Sequence, residues 1–205
     1  DVIDMTDAPG SVLRRKPRAS IRVAAELVAR NHATALFSAG HTGATVMAAH
    51  GAFGLIQGVD RPALATTVPT RGRPAVLLDA GATVECRPQH LLQFGRRSHG
   101  HDGTRRFGIA ESRQIRRDNA DVVRERGKLR FPHPRVERPR VGLLSIGEEE
   151  TKGNELTRDA HRLLKATPLN FIGNVEGREI YSGIADVVVC DGFTGNVVLK
   201  TSEGL

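Results

Sequence analysis

The sequence predicts an α/β fold built around a mostly parallel sheet. Three observations carry that reading. Short β-rich runs alternate with segments of helical periodicity over most of the chain. Two of the runs, VGLLSI and ADVVVC, are almost wholly apolar, as strands buried on both faces are. Polar loops rich in glycine follow the strands and lead into helices, and ligands of parallel sheets sit beyond those carboxyl ends.

The elements follow in order. Residues 21–30 read as a helix with Ser20 as its N-cap and with Ile21, Ala24, Ala25 and Val28 on one face. Residues 33–37 read as a strand ending in SAGHTGA, and 42–53 as the helix that follows. Residues 62–68 and 75–79 are two further strands, and 141–146, 169–172 and 185–190 complete the set. Residues 155–165 form a helix with Leu156, Ala160, Leu163 and Leu164 on one stripe, a basic last turn, and Asn154 in place to cap it. The chain is read as one partial α/β domain over residues 1–205.

Residues 95–135 break the alternation. They are dense in arginine and lack sustained periodicity, so they are expected to be disordered or poorly packed. The net charge of +7 belongs to this region: residues 95–140 hold 14 of the 30 Lys and Arg but only 6 of the 23 Asp and Glu. A basic nucleic-acid-binding module acting through residues 95–140 is therefore a rival reading. Against it stand the scarcity of stacking aromatics, only Phe107 and Phe131, and the lack of a known motif, so no specific nucleic acid is expected. No apolar run is long enough to span a bilayer, and the acidic start DVIDMTDAP is unlike a signal peptide, which makes a cytoplasmic setting the expectation. Cys86 and Cys190 show neither metal nor redox spacing. His32, His50, His90 and His161 read as ordinary surface or helix histidines, and no metal site is expected.

Four loops carry the chemistry. In SAGHTGA, Gly40 and Gly43 let backbone N–H groups approach an anion, Ser38, His41 and Thr42 supply donors, and the helix beginning near Thr42 adds its positive end. The same loop also reads as a plain strand-to-helix turn that needs glycine for its geometry. In IGEEETKGNE, Lys152 stands just before a helix, where it can neutralise a phosphate or a thioester oxyanion, or simply lie on the surface. Asn174 and Glu176 lie between two glycines in GNVEGREI. In CDGFTGN, Asp191 closes a buried strand and Thr194 and Asn196 line the entry to a helix. Several such loops at one sheet edge predict a polar, anion-binding cleft. Separately, Arg14, Arg15, Lys16 and Arg18 form a basic run, either a docking face for an acidic partner or a solvated helix entry.

In series, SAGHTGA, GVDRPALATTVPT, VLLDAGATVECRPQHLLQF, RVGLLSIGEEETKGNEL, NFIGNVEGREI and DVVVCDGFTGNVVLKTSEGL resemble consecutive blocks of the PlsX family of phosphate acyltransferases. The resemblance covers residues 1–94 and 136–205. It implies a three-layer αβα sandwich related to the phosphotransacetylase and isocitrate dehydrogenase-like groups, incomplete here at both ends, and a homodimer. It implies transfer of a fatty acyl group from acyl carrier protein to inorganic phosphate, feeding phospholipid synthesis, with no cofactor. Peripheral contact with the inner face of a membrane is compatible with that role. Mapped onto this chain, the implied catalytic residues are Lys152, Asn154 and Asp191. Ser38, Gly40, His41, Thr42, Gly43, Asn174, Glu176, Thr194 and Asn196 would bind phosphate or substrate, and Arg14, Arg15, Lys16 and Arg18 would dock the carrier. Three departures stand out. The family's opening strand with its DAMGGD-like loop and its later helices and strands are not in this sequence, which predicts an inactive fragment. His41 stands where the family usually has Asn. An Arg-rich stretch, either an insertion or the product of a frame shift, replaces a short Ala-rich helix.

Overall fold

The computed structural model describes residues 1–4, 6–7, 9–38, 42–55, 57–97, 124–125, 128–129 and 136–204. The chain divides into two compact units, Asp1–Ile56 with Glu111–His133, and Gln57–Ala110 with Pro134–Leu205.

The first unit is built on three helices, α1 (Pro9–Arg15), α2 (Ser20–Ala29) and α3 (Thr42–Phe53). Small residues let them approach: Ala25 of α2 and Ala44, Ala48 and Ala49 of α3 are buried. Two corrections to the sequence reading arise here. Ala19, not Ser20, is the N-cap of α2, and Ser20 is already helical with its N–H donated to the Asp1 carbonyl at 2.8 Å. Residues 33–37 are not a strand. A strand needs a neighbour for its backbone groups, and no described strand pairs with these residues; Phe37 is 77% exposed. A two-residue pair, β3 (Arg124–Glu125) and β4 (Lys128–Leu129), runs antiparallel.

The second unit holds a five-stranded sheet. Its strands are β1 (Ala65–Val68), β2 (Ala75–Leu78), β5 (Val141–Leu144), β6 (Phe171–Val175) and β7 (Val187–Val189), in the order β1-β2-β7-β5-β6. Only the β1–β2 pair is antiparallel; β2, β7, β5 and β6 run parallel. Helix α5 (Glu155–Lys165) joins β5 to β6 as a crossover, and α6 (Gly192–Glu203) follows β7. All five of these strands were expected from the sequence, with bounds shifted by up to three residues.

Period-2 alternation divides the apolar side chains between two faces. Leu77, Val188, Leu144 and Val175 join Leu64 and Ile180 in one core, against which Val198 and Leu199 of α6 pack. Leu78, Val189 and Leu143 join Leu91, Phe94, Ala160 and Leu164 in the other. Leu91 and Phe94 belong to α4 (Pro88–Arg97), whose last three residues fall within the stretch expected to lose structure at 95. Gly95 lets α4 close on α5, since a Cβ there would stand 2.8 Å from Leu164. The rest of that stretch lies outside the described residues, apart from β3 and β4.

Candidate functional site

Because β2, β7, β5 and β6 are parallel, the loops after them leave one edge of the sheet. This edge is built chiefly from backbone N–H groups, carboxylates that bind them, and one lysine.

Asp79 directly follows β2 and is fully buried. Its carboxylate accepts four backbone N–H groups: Leu64 at 2.8 Å, Gly81 at 3.1 Å and Ala82 at 2.8 Å on Oδ1, and Thr83 at 2.7 Å on Oδ2. Burial pushes this carboxyl above its ordinary value, while the four donors pull it down. The loop so held lies on the start of α6. The Gly192 N–H donates to the Thr83 carbonyl at 2.9 Å, and a Cβ on Gly195 would stand 1.8 Å from the Asp79 carbonyl oxygen. Asp191 caps α6, accepting the Thr194 N–H at 2.9 Å and its hydroxyl at 2.7 Å. Asn196 is exposed on the same helix, beside Gly81.

After β5 the chain turns through Gly147–Gly153. Asn154 caps α5, its Oδ1 accepting the Thr157 N–H at 2.9 Å. Lys152 is exposed, and its ammonium has no hydrogen-bond or ion-pair partner among the described residues. Asn174 of β6 reaches under this turn, donating from Nδ2 to the Glu149 carbonyl at 2.8 Å. Glu176, just past β6, pairs with Arg178 at 2.9 Å, and its N–H donates to the Glu179 carboxylate. Cys190 and Cys86 also lie at this edge. Burial pushes the Cys86 thiol up to about 11 and the Cys190 thiol well up, so neither is a thiolate nucleophile at neutral pH. No group of three or more His, Cys, Asp or Glu placed to hold a metal occurs among the described residues.

A sequence model of the family described as "Fatty acid synthesis protein" matches residues 1–102 and 133–205. The chain belongs to this fatty acid synthesis family. A phosphate acyltransferase of Syntrophotalea carbinolica is 48% identical over 205 residues, covering all of this chain and 51% of its own length. Proteins of the same name from Nitratidesulfovibrio vulgaris and Heliobacterium modesticaldum are each 46% identical over the whole chain, covering 52% and 53% of their own lengths. The chain spans about half the length of the curated relatives it matches.

Among the residues that the family resemblance singles out, Lys152, Asn154, Asn174, Glu176, Asp191, Thr194 and Asn196 all lie at or just past the carboxyl ends of β5, β6 and β7. Ser38, Thr42 and Gly43 lie in the first unit, where Thr45 donates to the Ser38 hydroxyl at 3.3 Å and Thr42 and Gly43 open α3. Gly40 and His41 lie outside the described residues. In the basic run, Lys16 is turned inward onto Asp7 and the Val2 carbonyl, both at 2.9 Å, while Arg14, Arg15 and Arg18 are exposed.

The sequence reading missed Asp79, although VLLDAG repeats the pattern of VVVCDG, an aspartate closing a buried strand with glycine close behind. His90 and His161 are helix residues, but buried at 7% and 3% exposure. Burial lowers the basicity of both. No described helix is long and apolar enough to cross a membrane.

Proposed function

We propose that this chain carries part of the active site of a phosphate acyltransferase that moves a fatty acyl group from acyl carrier protein to inorganic phosphate. The observation that supports it best is exposed Lys152, without a partner among the described residues, after a strand of a parallel sheet in a chain whose relatives are named phosphate acyltransferase.

In the proposed reaction a phosphate oxygen attacks the thioester carbonyl. The new C–O bond forms, the C–S bond breaks, and the electron pair leaves on the carrier's sulfur, which takes up a proton. No covalent enzyme intermediate is needed, in keeping with two protonated thiols. The chain must hold a dianion against a carbonyl and stabilise the oxyanion that develops. Fixed donors and a cation can supply that. Lys152 supplies charge, and the N-termini of α5 and α6 supply aligned N–H groups and positive dipole ends. Asn154, Asp191 and Thr194 are spent on capping, so their contribution is to hold these helix ends in place. Exposed Asn196 is free to meet the substrate.

The finer features belong to the same proposal: a three-layer αβα arrangement, a homodimer, and the exposed Arg14, Arg15 and Arg18 as a docking face for the acidic carrier. The test is acyl-phosphate formation from a long-chain acyl thioester and inorganic phosphate, with a relative as positive control. In a protein of the relatives' full length that carries this chain, Lys152→Ala should lower the rate by about two orders of magnitude, the usual cost of one oxyanion-stabilising contact. An unchanged phosphate-dependent rate would return Lys152 to the role of a surface residue.

A further inference from the structure

We propose that Asn174 is a positioning residue for Lys152 and not a ligand of the anion. This rests on the reading of Lys152 as the cation of the site.

Asn174 is 8% exposed on β6, opposite Leu143 in the β5–β6 pairing and so on the face from which Ser145 also projects. Its Nδ2 donates to the Glu149 carbonyl at 2.8 Å, and that same carbonyl accepts the Lys152 backbone N–H at 3.0 Å. A carbonyl can only accept, which fixes the orientation of the amide. One of the two Nδ2 hydrogens, and with it the direction in which the nitrogen faces, is therefore committed inside the chain. Oδ1 is an acceptor and would repel an anion; it is buried without a hydrogen-bond partner among the described residues.

The turn above Asn174 has little slack. A Cβ on Gly153, whose φ is +95°, would stand 2.1 Å from the Thr157 hydroxyl, and a Cβ on Gly147 would stand 2.8 Å from the Lys152 side chain. The turn is closed on itself and anchored from below at one carbonyl, and that carbonyl bonds the lysine's own backbone. A cation on a flexible stem stabilises charge best when its backbone is fixed before substrate arrives. Asn174 supplies that fixation from a rigid strand.

Limited trypsin digestion of the chain tests this without any activity. Trypsin cuts after Lys152, and after Lys200 in α6 as an internal reference. In Asn174→Ala and in the isosteric Asn174→Asp, cleavage after Lys152 should accelerate about three- to ten-fold relative to cleavage after Lys200, the effect of one lost hydrogen bond on local opening. Parallel changes at both sites, whether from global loosening or from none, would overturn the proposal. A second arm uses acyl-phosphate formation by a protein of the relatives' full length that carries this chain. Asn174→Ala should lower kcat with KM for phosphate unchanged, and should cost nothing further in a Lys152→Ala background. A raised KM for phosphate with additive losses would make Asn174 an anion ligand. Failure of Lys152→Ala alone to slow turnover would remove the cation role while leaving the tryptic result intact.

Discussion

At the amino edge of the parallel strands Asp186 meets a guanidinium, whereas at the carboxyl edge Asp79 meets only backbone. Asp186, 6% exposed at the start of β7, receives two side-chain bonds from Arg140, from Nε at 3.0 Å and from the terminal nitrogen at 2.9 Å, and a third from the Arg140 N–H at 2.8 Å. The charge is cancelled inside the chain, and the bond ties β5 to β7. At the other edge, N–H groups hold Asp79 and Asp191, α5 and α6 begin there, and the Lys152 ammonium has no partner among the described residues. At the amino edge the buried carboxylate is neutralised within the chain. At the carboxyl edge, to which the proposed reaction assigns the anion, the buried carboxylate is held by backbone alone.

The largest effect that would break this arrangement is steric. Gly195→Ala places a Cβ 1.8 Å from the Asp79 carbonyl oxygen and 2.8 Å from the Cys190 sulfur. Neither backbone nor buried sulfur can move aside, so we expect a loss of more than about 3 kcal/mol, or failure to fold. Gly177→Ala is the control, with nothing within 4 Å of its Cβ, and urea denaturation of both should separate them clearly. Asp79→Ala comes next. It leaves four backbone donors unpaired in a buried loop, at a cost of about 3 kcal/mol by the same measurement.

Asp186→Asn sharpens the comparison through pH. The Arg140 side chain holds the Asp186 carboxyl below its usual 3.8, so its stabilisation is fully present above that value and lost as pH falls through the lower folded value. Asp79 has the opposite sign: its folded value is raised above 3.8, so its contribution is fullest below 3.8 and is lost as pH rises through the folded value. We expect Asp186→Asn to cost about 2 kcal/mol at neutral pH, discounted because Arg140 is part-exposed, with the gap to the parent protein closing below pH 3.8. A gap that stays constant through the acid range would show that the ion pair is not its source.

Much of this was legible in the sequence where local pattern and tertiary context agree. The helices at 42–53 and 155–165 have the predicted bounds, and the capping role of Asn154 follows from its place before an amphipathic run. Residues 33–37 failed because an apolar run signals strand propensity but says nothing about whether a neighbour exists. Helix α4 was missed although Pro88 at its first position and Leu91, Leu92 and Phe94 along it are helix signals; the arginine-rich stretch beyond drew the boundary too early. The Leu64 bond to Asp79 and the Arg140–Asp186 bond join residues 15 and 46 apart in sequence, and periodicity carries no information about such pairs.

The smallest expected effect on stability belongs to Lys152, and it bears most directly on what the two edges are for. An exposed side chain without a partner contributes little to folding, so Lys152→Ala should change stability by no more than about 0.5 kcal/mol. Arg140→Ala, at the amino edge, should cost several times that, because it strands a buried carboxylate. Urea denaturation of the two variants side by side reads this directly. If Lys152→Ala proved as costly as Arg140→Ala, the lysine would be a structural counter-ion, as Arg140 is for Asp186. If stability is unchanged while acyl-phosphate formation falls, the unpaired charge is held for a group that the chain itself does not supply.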